Sequence, residues 1–246
     1  MKSSLYSQLI ILFTLLMPVF SCHGDMPILR FNVTPQGFPP YVISKPPAGI
    51  MFDVLSHIAQ KQGYQLVAER IPENRVYLLL DGGELDAHAS ALEWVESPQK
   101  YAFTDPVLKV RDVVFTRKDS ALNYQTVKDL WGHSVGVHTG YSYQSLTEYF
   151  KSGKITRIDS NNELYLLQML AKERLDVAVI TEHVGLWLIK KNNIKADFTI
   201  AKNAVDTTEY RLVFSKKWQG FIKAFNKELA LMKSNGHLKE ILYRYR

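Results

Sequence analysis

Apolar residues along this chain recur at two spacings, every second position and every third or fourth, and the two alternate almost to the end. Ile28 to Val33 alternates and predicts a strand. Thr34 to Pro47 carries five prolines, which fix φ and hold the residue before each one extended, so it predicts a stiff loop. Val54, Leu55, Ile58 and Ala59 form the apolar face of a helix that opens at Met51 and runs to about Gln62, with Gly63 ending it. Tyr64 to Glu69 predicts a second strand, Pro72 starts a helix holding Val76, Leu79 and Leu80, and Leu85 to Ser90 predicts a third strand. Ala91 to Lys100 has no period.

The alternation continues beyond it. Asp112 to Arg117 predicts a strong strand, Val127 to Leu130 a short helix and Val135 to Val137 another strand. A helix is expected from Ser142 through Phe150, a strand around Ile155 to Ile158, and a helix from Asn161 to Glu173. Asp176 to Ile180 reads as a buried strand and Glu182 to Lys191 as a helix. Phe198 to Ala201 predicts a short strand and Tyr210 to Phe214 the last clear one, before helices at about Gly220 to Lys233 and His237 to Tyr243. Strands alternating with helices argue for an α/β fold with mainly parallel sheets.

The start of the chain stands apart. Lys2, the apolar run Leu9 to Phe20 and the small Ser21 have the layout of a secretory signal, so residues 1–21 are expected to be removed. The run is too short and too poorly flanked for a membrane span. Cys22 is the single cysteine of the 246 residues, so no internal disulfide forms. Val19 to Cys22 resembles a bacterial lipoprotein box, with Val19 and Ser21 fitting and Phe20 bulky for its place; Cys22 is then an acylation site. Ordinary signal cleavage near residues 21–24 is the alternative. Either way the mature chain is exported to the periplasm, soluble or lipid-anchored.

The net charge is +6 and the pI about 9.2, with much of the excess spread over the C-terminal helical patterns, from Lys216 to Arg246. Solvated helix faces explain it, and an exported chain has no nucleic-acid partner. The histidines are scattered without metal-ligand spacing, so neither a metal nor a cofactor is called for.

In open α/β sheets ligands lie beyond the carboxyl ends of the strands. The loop with Phe38, the stretch Ser90 to Trp94, the turn Gly140 to Ser142 and the pair Thr181–Glu182 all follow predicted strands and so could line one cleft. From Ser134 to Tyr143 the order is strand, glycine turn, helix start, which would leave N–H groups free for an anion with Ser142 beside them. The plain alternative is that Ser142 only caps its helix and Phe38 only seals a core. Arg75, near the start of the second helix, is a ligand candidate or a solvated surface residue.

These segments resemble a known family, the periplasmic solute-binding proteins of amino-acid type, family 3. The resemblance is carried by Phe38 to Tyr41, Met51 to Val54, Gly83 to Asp86, Tyr101 to Pro106, Gly136 to Tyr143, Glu173 to Ala178 and the terminal helices with Lys233 to Gly236. It implies a two-lobed type II periplasmic-binding-protein-like fold with two crossover strands. Lobe one is expected at about 25–110 plus 210–246 and lobe two at 111–209, with crossovers near Lys109 to Arg111 and Thr207 to Tyr210. Ligand would bind between the lobes and close them about a hinge.

The family's α-amino-acid pocket is matched less well. Its carboxylate-clamping arginine, whose planar fork suits that job, falls at Ser97, and Glu93 to Tyr101 holds no arginine. Its ammonium-binding aspartate falls at Thr181, with Glu182 next to it. The aromatic is matched by Phe38 and the lobe-two anion site by Ser142. The expected ligand-binding set is therefore Phe38, Arg75, Ser90, Trp94, Ser97, Tyr141, Ser142, Thr181 and Glu182, and a standard α-amino acid is not the expected ligand.

The first expectation for function is a monomeric, non-catalytic protein that captures a small polar solute for a membrane transporter or sensor. A second is a sensory or docking module with a degenerate pocket. A third, an enzyme resembling the periplasmic cyclohexadienyl dehydratases, needs a cleft carboxyl of raised pKa, for which Glu93, Glu96 and Glu182 are the candidates.

Overall fold

The computed structural model describes residues 26–194 and 197–245. The expected leader and Cys22 lie outside the described residues. Among the described residues no helix is long and apolar enough to cross a membrane.

The chain opens with β1 (Ile28–Asn32), α1 (Ile50–Lys61), β2 (Gln65–Glu69), α2 (Glu73–Gly82) and β3 (Ala87–Ser90). Two single 3-10 turns lead to β4 (Tyr101–Phe103) and then β5 (Leu108–Arg117). The middle of the chain supplies β6 (Ser134–His138), α3 (Thr147–Lys151), β7 (Thr156–Ser160), α4 (Glu163–Ala171), β8 (Val177–Thr181) and α5 (Glu182–Lys191). The end is β9 (Phe198–Ser215), α6 (Gln219–Ser234) and α7 (His237–Arg244).

The nine strands order as β2-β1-β3-β9-β5-β8-β6-β7, with β4 also pairing β9. They form a curled sheet of two lobes. The first lobe holds β1 to β4 and the C-terminal part of β9, and the second holds β6, β7, β8 and the outer parts of β5 and β9. β5 and β9 run through both lobes and pair antiparallel where they cross, Leu108 opposite Tyr210 and Arg111 opposite Thr207. Mainly parallel pairing was expected, but only four of the eight pairings are parallel. The crossovers return the chain in the opposite sense, which makes every pairing of β5 and β9 antiparallel.

Period-two alternation decides which face each side chain takes. In β8, Ala178 and Ile180 join the main core while Val177 and Val179 join a second core under Tyr143, Leu146 and Ile155. All five β8 residues are buried, as in a strand covered on both faces. Gly136 in β6 is required by close approach: a Cβ there would sit 2.5 Å from Leu175 Cδ1 and 2.8 Å from Leu166 Cδ2. α1, α6 and α7 pack beside lobe one, and α4 and α5 beside lobe two. A smaller core of Val76, Leu80, Leu85 and Val213 holds α2 on the other face of the first lobe.

Two elements differ from the sequence pattern. The short strands expected at Phe198 and Tyr210 are one strand of 18 residues. Between them Lys202, Asn203 and Asp206 to Glu209 break the apolar rhythm, because this stretch faces solvent and the cleft. The helix expected from Ser142 begins only at Thr147. Tyr143 instead turns inward, its hydroxyl accepting the His138 N–H at 3.0 Å, so the chain must go round its ring first.

Candidate functional site

A cavity of about 610 Å³ lies between the lobes, against the paired crossover of β5 and β9. Lobe one contributes the Thr34–Val42 loop, the first turns of α2, the end of β3 and the turn after it. The crossover contributes Val110 and Asp112 from β5, and Asp206, Thr207, Thr208 and Tyr210 from β9. Lobe two contributes Gly140 to Ser142, Gln144 and Thr181.

The lobe-one wall is built of rings. Phe38 packs on Tyr41 with centroids 5.0 Å apart, Tyr41 on Tyr210 at 5.4 Å, and Trp94 on Tyr210 at 5.5 Å. Such tilted and edge contacts add about 0.5–1.5 kcal/mol each beyond the buried area. Tyr210 is buried, which pushes its phenol up, and its hydroxyl is satisfied by the Ala89 carbonyl at 3.4 Å. Tyr41 also meets lobe two, its hydroxyl 3.2 Å from His183 Nδ1 near the start of α5.

Beside the rings a polar chain also lines the cavity. Asn32 Oδ1 accepts the Ile71 N–H at 3.2 Å, which orients its amide so that Nδ2 points to His88 Nδ1 at 3.3 Å. His88 Nε2 then carries the hydrogen and donates to Glu73 Oε1 at 3.1 Å. Burial alone would raise the Glu73 carboxyl, but its interaction with His88 outweighs that, and the net direction is down. Tyr77 similarly donates to Ser90 Oγ at 3.3 Å. The polar groups of this wall are thus largely spent on one another.

The floor is different. Asp112 and Asp206 face each other across the β5–β9 ladder, a register that puts their Cβ atoms about 4.5–5.5 Å apart on one face. Thr181 Oγ1 donates to Asp112 Oδ1 at 2.7 Å, and Ser145 Oγ to Asp206 Oδ1 at 2.7 Å. The second oxygen of Asp206 is shut off from solvent and has no partner among the described residues. Burial pushes the Asp112 carboxyl up; the Thr181 bond pulls the other way, and the charge of Asp206 pushes up again.

Of the side chains singled out in the sequence, Phe38, Ser90, Trp94, Tyr141, Ser142 and Thr181 line this cavity together. Arg75, Ser97 and Glu182 do not. Arg75 is exposed on α2, Ser97 precedes a 3-10 turn, and Glu182 is taken by Arg111 in an ion pair of 2.8 Å. Gly140 has φ of +80° and opens the turn that carries Tyr141 and Ser142; the Tyr141 ring lies 4.0 Å from that of His138. Ser142 is exposed and stands five positions before α3, so it caps nothing.

Sequence reasoning missed Asp112, Asp206, Tyr210, Glu73, Tyr77 and His88. Asp112 looked like the first residue of a strand, and Asp206 fell in an unassigned stretch. What joins them is strand register, which periodicity does not carry. For Glu73 and Tyr77 a signal existed: like Arg75, they lie at the start of the second helix, on the strand-end side.

The family described as bacterial extracellular solute-binding proteins, family 3, matches residues 31–246. No curated protein matches the chain. Several solved structures share its fold. An amino acid ABC transporter substrate-binding protein from Streptococcus pneumoniae, bound to L-arginine, is 19% identical with TM-score 0.64, over 89% of this chain and 94% of that one. The GluR0 ligand-binding core with L-glutamate is 18% identical with TM-score 0.69, over 90% and 99%. A histidine kinase sensor domain with similarity to periplasmic binding proteins is 20% identical with TM-score 0.68, over 90% and 97%. At these identities the likeness is one of fold, two lobes joined by two crossover strands. The family match spans both lobes and both crossovers, and the chain belongs to the family 3 bacterial extracellular solute-binding proteins.

Proposed function

We propose that this protein is exported, captures a small polar solute between its lobes and delivers it to a membrane transporter or a membrane sensor. The observation that carries the reading is the cavity at the crossover, walled by both lobes, on the scaffold of a solute-binding family. Its volume suits a small molecule, and a ring wall with a few convergent polar groups is the usual make-up of such a site. Phe38, Ser90, Trp94, Tyr141, Ser142 and Thr181 are proposed to touch the solute. The reading is of binding without a reaction, by a monomer whose lobes are 25–110 plus 210–246 and 111–209. Residues 1–21 act as the signal, and Cys22 as a lipid anchor when acylated.

A melting screen against amino acids, amines, organic acids and short peptides tests the capture reading. A solute at 100 times its Kd stabilises the fold by about 2.7 kcal/mol, a shift of several degrees. A flat response to all four classes would overturn it. Fractionation of Cys22→Ala tests the anchor: movement from the membrane to the soluble fraction supports acylation, and no movement supports simple cleavage.

A further inference from the structure

The charges on the cavity wall run against those of the molecule. The chain carries a net charge of +6, with 30 Lys and Arg against 24 Asp and Glu. Around the cavity the balance is reversed: Glu73, Glu93, Asp112 and Asp206 line it, and among the described residues no lysine or arginine does. The cation nearest in sequence to Asp112, Arg111, is committed to Glu182 and to the Lys202 carbonyl.

Two of the four carboxylates make a pair that the fold does not compensate. Asp112 and Asp206 are direct cross-strand partners, and like charges so placed destabilise a sheet. Each takes one hydroxyl donor, from Thr181 and Ser145, which leaves the buried second oxygen of Asp206 with no donor among the described residues. A buried carboxylate oxygen without a donor is costly, and the residue that carries it, Asp206, is one of those lining the cavity between the lobes. The rings of Phe38, Trp94 and Tyr210 flank the same space, and aromatic faces attract cations.

Resting on the capture reading above, we infer that the solute is an organic cation without a carboxylate: an amine or guanidine on an apolar body, its charged nitrogen between Asp112 and Asp206 and its body against the rings. A carboxylate on the solute would find no lysine or arginine in the wall among the described residues, and would meet the carboxylates of Glu93, Asp112 and Asp206.

Calorimetry with matched pairs isolates the charge. Agmatine differs from L-arginine, and cadaverine from L-lysine, by the α-carboxylate alone. The decarboxylated member of a pair should bind about tenfold tighter or better, a difference of about one decade in Kd. Asp206→Asn should weaken that binding by about tenfold while leaving the melting temperature of the unliganded protein equal or higher, since it removes a like-charge contact. Glu93→Gln, on an exposed side chain at the rim, should weaken it a few-fold without touching the fold, and it serves if Asp206→Asn does not fold. Equal or tighter binding of the amino acids, binding of succinate, a melting shift with calcium ion and none with the amines, or amine binding indifferent to both variants would each overturn the inference. Binding of succinate or of a neutral solute alone would leave the capture reading standing. No binding by any probe of any charge would sink both.

Discussion

The lobe-one wall and the floor of the cavity handle polar groups in opposite ways. In the wall, Asn32, His88 and Glu73 satisfy one another, Tyr77 is paired with Ser90 and Tyr210 with Ala89. Its rings pack in a continuous cluster and Tyr41 and Tyr210 are buried. In the floor, two carboxylates oppose each other and one buried oxygen has no partner among the described residues. The wall is thus complete by itself, whereas the floor is left short of positive charge. The buried residues of the wall should therefore govern stability, and residues of the floor and the lobe-two loop should act chiefly on binding.

The largest effect tests the wall. Tyr210→Ala removes a buried ring that touches Phe38, Tyr41 and Trp94, and should cost about 3–5 kcal/mol in urea unfolding. A loss below 1 kcal/mol would mean that the wall is not a packed unit. Next comes Asn32→Ala, which strips the partner from the Ile71 N–H and from His88 Nδ1 and should cost about 1–3 kcal/mol. An unchanged melting temperature there would show that water replaces the amide.

Acid titration sharpens the contrast through sign. The Asp112 carboxyl is raised in the folded protein, by burial and then by Asp206 against the opposing Thr181 bond. Between its ordinary and its folded value the folded state holds more protons than the unfolded one, so stability falls as pH rises through that window. Asp112→Asn should remove this loss. Asp176, remote from the cavity, behaves the other way. It accepts the Ser134 N–H at 2.8 Å, and that bond holds its carboxyl below the ordinary value. Its contribution is present above the unfolded value of about 3.9 and is lost as pH falls through the folded one. With the side chain half exposed, Asp176→Asn should cost about 1 kcal/mol or less. Melting curves of both variants from acid to neutral pH check the two signs, and slopes of the same sign would refute the account.

The smallest stability effect is expected from Ser142→Ala. An exposed residue that caps no helix should change stability by less than about 0.5 kcal/mol. If it touches the solute, affinity should fall by about 0.5–1.5 kcal/mol. Lost melting temperature with unchanged affinity would return Ser142 to a structural role.

The legible parts of this molecule are those where one face of an element meets the core. The α1 stripe of Val54, Leu55, Ile58 and Ala59 and the run from Val177 to Ile180 marked their elements clearly because both are buried. β4 escaped notice because three residues carry too little periodicity. β9 was cut in two because its middle serves the cleft and not the core. The aromatic side of the site was legible from loops that follow strands, as with Phe38, Trp94 and Tyr141. Its acidic floor was not, since Asp112 and Asp206 meet only through the register of β5 and β9.

The passage of β9 back into the first lobe has a kinetic consequence. The first lobe is sealed by contacts made late along the chain: Tyr210 bonds to Ala89 across 121 positions, and the Tyr245 hydroxyl takes the Gly49 N–H across 196. The second lobe is sealed across shorter spans, 42 positions where Ser134 meets Asp176 and 79 where Lys118 meets Asp197. Loop closure over the 121-residue span costs about 1 kcal/mol more than over the 42-residue one. Non-local pairing is also the slower event. The second lobe is thus the region able to organise early, from contiguous chain, while β1, β2 and β3 wait with an unpaired edge for the last strand. That waiting edge is where misassembly and aggregation would begin.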